Sequence, residues 1–207
     1  LAVIAADAAG FSRVDVLLGI AGQNFLILYG VAAAALFRDQ GYAAVSLRAI
    51  AAAAGMQSGS VYYHFDSKEE IVTEVLNLGI ERVHEQVSLT IATLPADADA
   101  ATLIKAGIRN HLTALFAFGA YTSANVRIYG QVPATARLGN LAVRRRYEGL
   151  WDDILCRAQA QGGVQGGIDL AAFRLLIIGS LNATLEWFDP KRGRVEDLAE
   201  CYADILL

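Results

Sequence analysis

Apolar residues recur every three or four positions along most of this chain, and that spacing predicts helices rather than strands. Ile71, Val75 and Leu78 mark successive turns of one helix, which we expect to run from Lys68 to about Thr93. Further helices are predicted from 97–99 onward, over 121–129, over 135–161, over 170–188 and after the Asp189-Pro190 break. The pattern therefore predicts an all-α fold.

Two short helical patterns meet across a glycine in the stretch 46–70. Ser46 can cap the first helix, and Gly55 follows it, where a helix often ends in a left-handed residue. Ser58 can cap a second helix, on which Val61 and Phe65 share one face. Ser67 to Glu70 then has the form of a capping box, S-x-x-E, at the start of a third helix. This arrangement is typical of a helix-turn-helix unit.

The outer surface of this unit offers side chains suited to a DNA groove and its phosphates. The candidate DNA-binding residues are Ser46, Arg48, Gln57, Ser58, Ser60, Tyr62, Tyr63, His64 and Lys68. The whole chain has a net charge of −4, and residues 24–70 carry fewer Lys and Arg than Asp and Glu. We therefore expect binding through a few placed cations, hydroxyls and helix N-termini rather than a broad positive field. Lys68 is expected to contact a phosphate.

Several sequence features of 28–70 occur in order at the spacing of one known family. They are Leu36-Phe37, Gly41-Tyr42, Ile50-Ala51, Ala54-Gly55, Gly59-Ser60, Tyr62 to Phe65 and Ser67 to Glu69. The run resembles the DNA-binding domain of the TetR family of repressors. The resemblance implies a three-helix DNA-binding domain over 24–70 and a helical-bundle ligand-binding and dimerisation domain over 71–207. It also implies a homodimer on a palindromic operator in double-stranded DNA, released by a small-molecule effector.

Residues 1–23 do not fit that resemblance, which implies a short polar or basic arm before the first helix. The segment is apolar and rich in Gly and Ala, and Asp7, Arg13 and Asp15 interrupt it before any run is long enough to span a membrane. It also lacks the basic leader of a signal peptide. We expect an N-terminal extension of unclear role, either an extra helix or a poorly ordered segment.

The last two predicted helices have more apolar surface than one neighbour can cover. The stretch 170–188 is apolar almost all round, although Arg174, Asn182 and Glu186 argue against a membrane span. The resemblance implies that about 169–187 and 194–207 pair with their symmetry mates in a dimer. The alternative is that both helices are ordinary core, since periodicity does not distinguish core from interface.

Aromatic and isolated polar residues in the second part of the chain are candidates for an effector site, because such sites combine apolar walls with a few polar anchors. The candidates are His111, Phe116, Tyr121, Tyr129, Tyr147, Trp151, Asn182 and Glu186. For each residue taken singly, an ordinary place in a helical core is the better interpretation. The stretch 186–190 is similar to TetR-family regulators of lipid and sterol catabolism, some of which sense acyl-CoA thioesters. The resemblance thus favours a hydrophobic or amphipathic effector.

An enzyme is the less favoured interpretation. The three histidines are scattered, and the sequence has no nucleophile elbow, phosphate-binding glycine loop or paired cysteine ligands. Glu81, His84 and Glu85 share one turn, a spacing that a solvated helix face explains better than a metal site. We expect no catalytic residue, no metal and no cofactor. A helical interaction or small-molecule-binding module without DNA affinity remains the alternative, and two cysteines without a disulfide framework favour a cytoplasmic protein.

Overall fold

The computed structural model describes residues 25–57 and 59–206, without the side chains of 25–27 and Ser60. The predicted extension 1–23 and the predicted cap Ser58 lie outside the described residues. The described residues form α-helices and one short 3-10 helix, with no strand among them, so the all-α prediction is confirmed.

The α-helices, numbered in chain order, match most of the predicted boundaries. They are α1 Phe25–Ala44, α2 Leu47–Ala53, α3 Lys68–Thr93, α4 Ala100–Ala117, α5 Gly119–Ile128, α6 Ala134–Ala160, α7 Leu170–Trp187 and α8 Val195–Leu206. The helix predicted over 68–93 is confirmed to the residue, and α6 and α7 end within one residue of their predicted ends. Local signals mark two of the helix boundaries. Pro95 follows the end of α3, and the side chain of Asp169 accepts hydrogen bonds from the first amides of α7 and so caps its start.

The chain divides into two compact units. Of the described residues, the first unit contains those up to Ile80 together with Ala117–Val143, and the second contains Glu81–Phe116 and the residues from Arg144 onward. Helices α3 and α6 each contribute residues to both units. These compact units are not the two functional domains implied by the resemblance, which meet at residue 70. The boundary between the functional domains stays a prediction.

Apolar side chains from α1, α2, α3 and α5 form the core of the first unit. The aromatic rings of Tyr29, Phe37 and Phe65 are buried in it together with Ile50 and Tyr121. Tyr29 and Phe65 pack edge to face, with ring centroids 6.1 Å apart. The helix-turn-helix region therefore shares one core with α5, which lies more than fifty residues further along the chain.

A glycine allows α1 to turn into the helix-turn-helix. Gly41 has φ 78° and ψ 166°, a combination that is essentially restricted to glycine. A Cβ at this position would lie 2.9 Å from Oε1 of Gln131. The same oxygen accepts a hydrogen bond of 3.1 Å from the backbone N–H of Tyr42. The Gly41-Tyr42 pair is thus a corner at which the backbone turns and a distant side chain holds it.

The predicted second helix of the helix-turn-helix is wrong in type. Residues Ser60–Tyr63 form a single 3-10 turn rather than an α-helix. The segment lies between Gly59 and Asp66, and with β-branched Val61 and two tyrosines it is too short to repay the cost of helix nucleation. Val61 and Phe65, which were predicted to share one face, are both buried, and the carbonyl of Val61 accepts from the N–H groups of His64 and Phe65.

The second unit is built on α4 and the C-terminal part of α6. Helix α4 buries Leu103, Ile104, Ile108, Leu112 and Leu115, whereas Phe116 is only half-buried. Trp151 is fully buried against Gly107, where an added Cβ would lie 2.9 Å from the indole ring. The absence of a side chain at Gly107 thus makes room for the largest residue of this core.

Candidate DNA-binding surface and effector site

The first helix of the helix-turn-helix begins and ends as predicted. The side chain of Ser46 accepts a hydrogen bond of 3.1 Å from the N–H of Ala49 and so caps α2. At the other end Gly55 has φ 73°, and the N–H of Met56 donates to the carbonyl of Ala51 at 2.8 Å. Arg48, in the first turn of α2, is exposed. Arg48, the predicted DNA-binding cation of α2, is therefore accessible from solvent.

The 3-10 helix presents two aromatic rings on its outer side. Tyr62 and Tyr63 are 63% and 89% exposed, unusually high values for large aromatic residues. Gln57, which precedes the 3-10 helix in the chain, is also exposed. Burial of Val61 and Phe65 fixes the inner side of the turn and therefore the direction in which the two tyrosines project. A surface with fixed, exposed aromatic and amide groups can contact base edges and backbone in a DNA groove.

Two other predicted contact residues are less exposed. The ring of His64 is half-buried, with its centroid 6.0 Å from that of Tyr29 in the core. The ammonium of Lys68 donates to two backbone carbonyls, Tyr42 O at 3.0 Å and Val45 O at 2.9 Å. It also lies over the Tyr42 ring, 4.2 Å from the centroid. The roles of both residues in DNA binding stay predictions.

Ser67 opens α3 as the sequence indicates, because its hydroxyl accepts a hydrogen bond of 3.1 Å from the N–H of Glu70. The Glu70 carboxylate reaches back to the N–H of Asp66, at 2.8 Å. The capping box is therefore present, except that the Glu70 carboxylate accepts from the N–H of Asp66 rather than from that of Ser67. It fixes the start of α3 directly after the exposed 3-10 helix.

The second unit contains a chain of hydrogen bonds among otherwise apolar side chains. Nε1 of Trp151 lies 2.9 Å from the hydroxyl of Tyr147, which lies 2.5 Å from Nδ1 of His111. Nε2 of His111 lies 3.2 Å from Oδ1 of Asn182. Trp151, Tyr147 and His111 are buried and Asn182 is half-buried. Four of the eight predicted effector residues thus come together across α4, α6 and α7.

The direction of this chain follows from its first member. The indole N–H of Trp151 can only donate, so the Tyr147 hydroxyl accepts from it and donates its own proton to Nδ1 of His111. Burial lowers the pKa of His111 to about 4, so the ring is neutral near pH 7 and carries its proton on Nε2. That proton is donated to Oδ1 of Asn182. The amide nitrogen of Asn182, a donor only, therefore faces away from His111.

The remaining predicted effector residues do not join this chain. Tyr121 and Tyr129 belong to the first unit, where Tyr121 is buried in the core and Tyr129 packs against it. Glu186 is exposed. Phe116 lies beside Phe188, with ring centroids 5.3 Å apart. Sequence spacing grouped these aromatics because they follow one another along the chain, but the two compact units divide them.

Sequence reasoning missed the residues that hold the Gly41-Tyr42 corner. Gln131 accepts from the N–H of Tyr42 and donates to the carbonyl of Arg127 at 3.1 Å. The hydroxyl of Tyr42 donates to the Glu69 carboxylate at 2.9 Å. No local pattern links Gln131 to a residue 89 positions away. The role of Tyr42 at this corner could have been suspected from the sequence, because Tyr42 follows a glycine at the end of an apolar helix.

Helix α7 leaves large apolar side chains uncovered. Leu175, Leu176 and Trp187 are 64%, 58% and 60% exposed, and Ile205 of α8 is 74% exposed. By contrast, Arg174 is largely covered and pairs with Glu148 and Asp152 of α6, at 3.2 Å each. By length and composition α7 could also cross a membrane, and no other helix of the described part of the chain could.

Among residues 25–57 and 59–206, no group of three or more His, Cys, Asp or Glu side chains could hold a metal ion. Glu81 instead pairs with Arg146 at 3.1 Å, and Glu85 pairs with Arg82 at 3.3 Å. The ring of His84 lies edge-on to Tyr147, with centroids 6.2 Å apart. The turn that carries Glu81, His84 and Glu85 is thus engaged in contacts within its own unit.

A capped helix-turn-helix with exposed aromatics, followed by a helical unit with a buried polar chain, is the architecture of a helix-turn-helix DNA-binding regulator. Two family profiles match the chain: "Bacterial regulatory proteins, tetR family" over 31–75 and "Tetracyclin repressor-like, C-terminal domain" over 97–207. Together they match well over half of the chain. The chain therefore belongs to the TetR family of transcriptional regulators.

Individual relatives agree with this assignment. The chain is 29% identical over 178 residues to the HTH-type transcriptional repressor KstR2 of Rhodococcus jostii, covering 84% of this chain and 85% of that one. The structure of the TetR family regulator PfmR from Thermus thermophilus superposes with a TM-score of 0.75 at 26% identity, covering 87% and 94% of the two chains. AibR, solved with isovaleryl coenzyme A and operator DNA, has a TM-score of 0.76 at 21% identity and coverages of 87% and 97%. The last likeness concerns the fold alone.

Proposed function

We propose that this protein is a ligand-responsive repressor that binds a palindromic operator as a homodimer. The observation that carries the proposal is the exposed Tyr62-Tyr63 surface, held by buried Val61 and Phe65 directly after a capped α2. Two adjacent exposed aromatic rings form a contiguous patch, and such patches mark interaction sites more often than single exposed side chains do. In this proposal residues 24–70 contact DNA, residues 71–207 bind the effector and the second copy, and the protein works in the cytoplasm.

The second subunit is proposed to cover α7 and α8. Leu175, Leu176 and Trp187 together with Ile205 present apolar surface to solvent in the single chain. Gly179 and Ala183 are also exposed on α7, and such small side chains allow a neighbouring helix to approach closely. A two-fold dimer would place two helix-turn-helix units about 34–36 Å apart, one helical turn of DNA.

The effector is proposed to be a hydrophobic or amphipathic molecule with a hydrogen-bond acceptor in its head group. Asn182 supports this choice, because His111 occupies its carbonyl oxygen and leaves its amide hydrogens for another acceptor. A carboxylate or the carbonyl of an acyl-CoA thioester would suit that donor, whereas an ammonium group would not. AibR was solved with isovaleryl coenzyme A and Bacillus subtilis FadR with stearoyl-CoA, which gives the thioester class additional support.

The effector proposal is tested by thermal shift with three ligands of equal chain length: decanoate, decanoyl-CoA and decylamine. A ligand that binds the folded state raises the melting temperature, and we expect this for the acid or the thioester but not for the amine. Asn182→Leu should reduce the shift, while Asp153→Asn, a change in an exposed side chain of α6, should keep it. An equal shift with decylamine would contradict the assigned orientation of Asn182.

The DNA proposal is tested by selecting duplexes from a random-sequence pool with the wild-type protein. We expect recovery of an inverted repeat whose half-sites are centred about one helical turn apart. Recovery of no enriched sequence would remove the support for operator binding and favour the alternative of a helical ligand-binding module.

A further inference from the structure

The hydrogen-bonded chain of the second unit ends at a side chain that can be turned either way. The carboxamide of Asn182 has an oxygen, which only accepts hydrogen bonds, and a nitrogen, which only donates them. Because the two ends have nearly the same shape, packing alone does not decide which of them faces His111. Whichever end lies at His111, at the observed distance of 3.2 Å, leaves the opposite end for an effector.

In the arrangement described above, every proton along the chain has an acceptor. The indole N–H of Trp151 donates to the Tyr147 hydroxyl at 2.9 Å, and that hydroxyl donates to Nδ1 of His111 at 2.5 Å. The N–H at Nε2 of His111 then donates to Oδ1 of Asn182. The amide hydrogens of Asn182, which is half-buried, are left at the least buried end of the chain.

The reversed arrangement leaves one buried proton without an acceptor. His111 would carry its proton on Nδ1 and donate it to Tyr147, while the amide nitrogen of Asn182 would donate to Nε2. The Tyr147 oxygen has two lone pairs and could accept from both Trp151 and His111, but its own proton would then have no partner. Tyr147 is buried, and its hydroxyl has no further hydrogen-bond partner among the described residues. An unsatisfied buried donor disfavours the reversed arrangement by about tenfold or more.

The choice between the two arrangements is therefore made at Tyr147, since the indole N–H of Trp151 finds the same acceptor in both. We propose that Tyr147 is a positioning residue for effector recognition, because its hydroxyl selects the tautomer of His111 that turns the amide hydrogens of Asn182 toward the effector. This inference rests on the proposed effector site. It assigns the preference for a hydrogen-bond acceptor to a buried hydroxyl that does not itself contact the effector.

Removing this hydroxyl should weaken the preference. In Tyr147→Phe, Nδ1 of His111 lacks a partner whether or not it carries the proton, so each tautomer leaves one group unsatisfied. Asn182 can then present either its oxygen or its amide hydrogens. In the wild-type protein an effector donor reaches only the second lone pair of Oδ1, because the His111 N–H already uses the first.

The tautomer of His111 tests the first half of the proposal without any ligand. Nitrogen-15 chemical shifts of an imidazole ring distinguish a nitrogen that carries a proton from one that does not, and the His111 signals are those missing from His111→Gln. We expect a proton on Nε2 alone in the wild-type protein and a mixture of both tautomers in Tyr147→Phe. The wild-type spectrum keeps the proposal testable if Tyr147→Phe does not fold.

Head-group discrimination tests the second half. Calorimetric titration measures the affinity for decylamine and for whichever of decanoate and decanoyl-CoA binds more tightly. The ratio of the two affinities is compared between proteins, so that intrinsic differences between the ligands cancel. We expect the preference for the acid or thioester to fall about tenfold in Tyr147→Phe, the order of one unsatisfied buried group. Tyr202→Phe is the matched control and should keep the wild-type ratio, because it removes a hydroxyl of the same unit that donates to the carbonyl of Ser180 at 3.3 Å.

Three results would overturn the proposal. A proton on Nδ1 of His111 in the wild-type protein would mean that Asn182 faces the other way. A single, unchanged tautomer in Tyr147→Phe would show that another group selects it. A changed tautomer with an unchanged affinity ratio would reduce Tyr147 to a purely structural residue. If the wild-type protein binds none of the three ligands, the proposed effector class fails and the head-group half of this inference fails with it. That failure is distinguishable, because the tautomer measurement requires no ligand.

Discussion

The helix-turn-helix of the first unit and the hydrogen-bonded chain of the second unit differ in the side chains that they bury. In the helix-turn-helix, large apolar residues such as Val61 and Phe65 are buried, whereas Arg48 and Tyr63 are exposed. In the second unit polar groups such as His111 are buried in a hydrogen-bonded chain, while Leu175 and Leu176 stand in solvent. The first pattern suits a surface that reads a polar ligand such as DNA, and the second suits a unit that binds apolar partners.

The largest expected effect is on self-association, and it is tested by changing one exposed leucine in each unit. Leu175→Glu should weaken self-association by about two to three orders of magnitude, because the charge is buried twice in a two-fold interface. Leu138, 68% exposed in the first unit, is the matched control, and Leu138→Glu should leave self-association unchanged. Sedimentation equilibrium measures both variants. Equal behaviour of the two would mean that α7 is not the dimer surface.

A smaller effect is expected from pH, through the buried chain of the second unit. Burial lowers the pKa of His111 to about 4, below its ordinary value of about 6.5. As pH falls below about 6.5 the unfolded chain gains a proton that the folded chain does not accept, so stability is lost on the acid side. Between pH of about 7.5 and 5 this ring should account for a loss of about 2 kcal/mol in the free energy of unfolding.

Urea denaturation of the wild type and His111→Gln at both pH values measures that contribution. The variant lacks the titrating ring, so its stability should fall less between the two pH values, whatever the other groups contribute. The same pH dependence in both proteins would show that the ring is protonated in the folded state or reaches solvent.

The smallest effect is expected at the turn of the helix-turn-helix. Gly55 has φ 73° with no atom within 4 Å of an added Cβ, so Gly55→Ala would cost only the backbone strain of a left-handed residue, about 1 kcal/mol. Gly130→Ala adds the same methyl group in open space without a positive φ and should not be destabilising. Thermal denaturation of the two variants compares them, and equal melting temperatures would contradict the left-handed geometry.

Local signals in the sequence predicted most of the fold. The ends of α2 and α3 follow from Ser46, Gly55 and Ser67, whose effects reach only one turn along the chain. The type of the 60–63 helix is predicted wrongly, although its shortness between Gly59 and Asp66 and the β-branched Val61 are local features that disfavour an α-helix. Local rules therefore predict element ends better than the geometry of short segments.

The candidate sites were less predictable because they depend on distant contacts. Tyr121 and Trp151 are both buried aromatics, and nothing in their spacing assigns them to different units. Likewise, Lys68 was expected at a phosphate, while its carbonyl partners lie 23 and 26 residues earlier in the chain. Residue type indicated which groups were chemically useful, and packing decided what each of them contacts.

The central claim is that the exposed tyrosines of the first unit read DNA. It is tested most directly by the affinity of Tyr63→Ala for a duplex selected by the wild-type protein, measured beside Leu138→Ala. Both side chains are highly exposed in the first unit, so neither change should disturb the core. We expect at least about a tenfold loss for Tyr63→Ala, the order of an aromatic hot spot, and none for Leu138→Ala. Equal, wild-type affinity of both variants would contradict it.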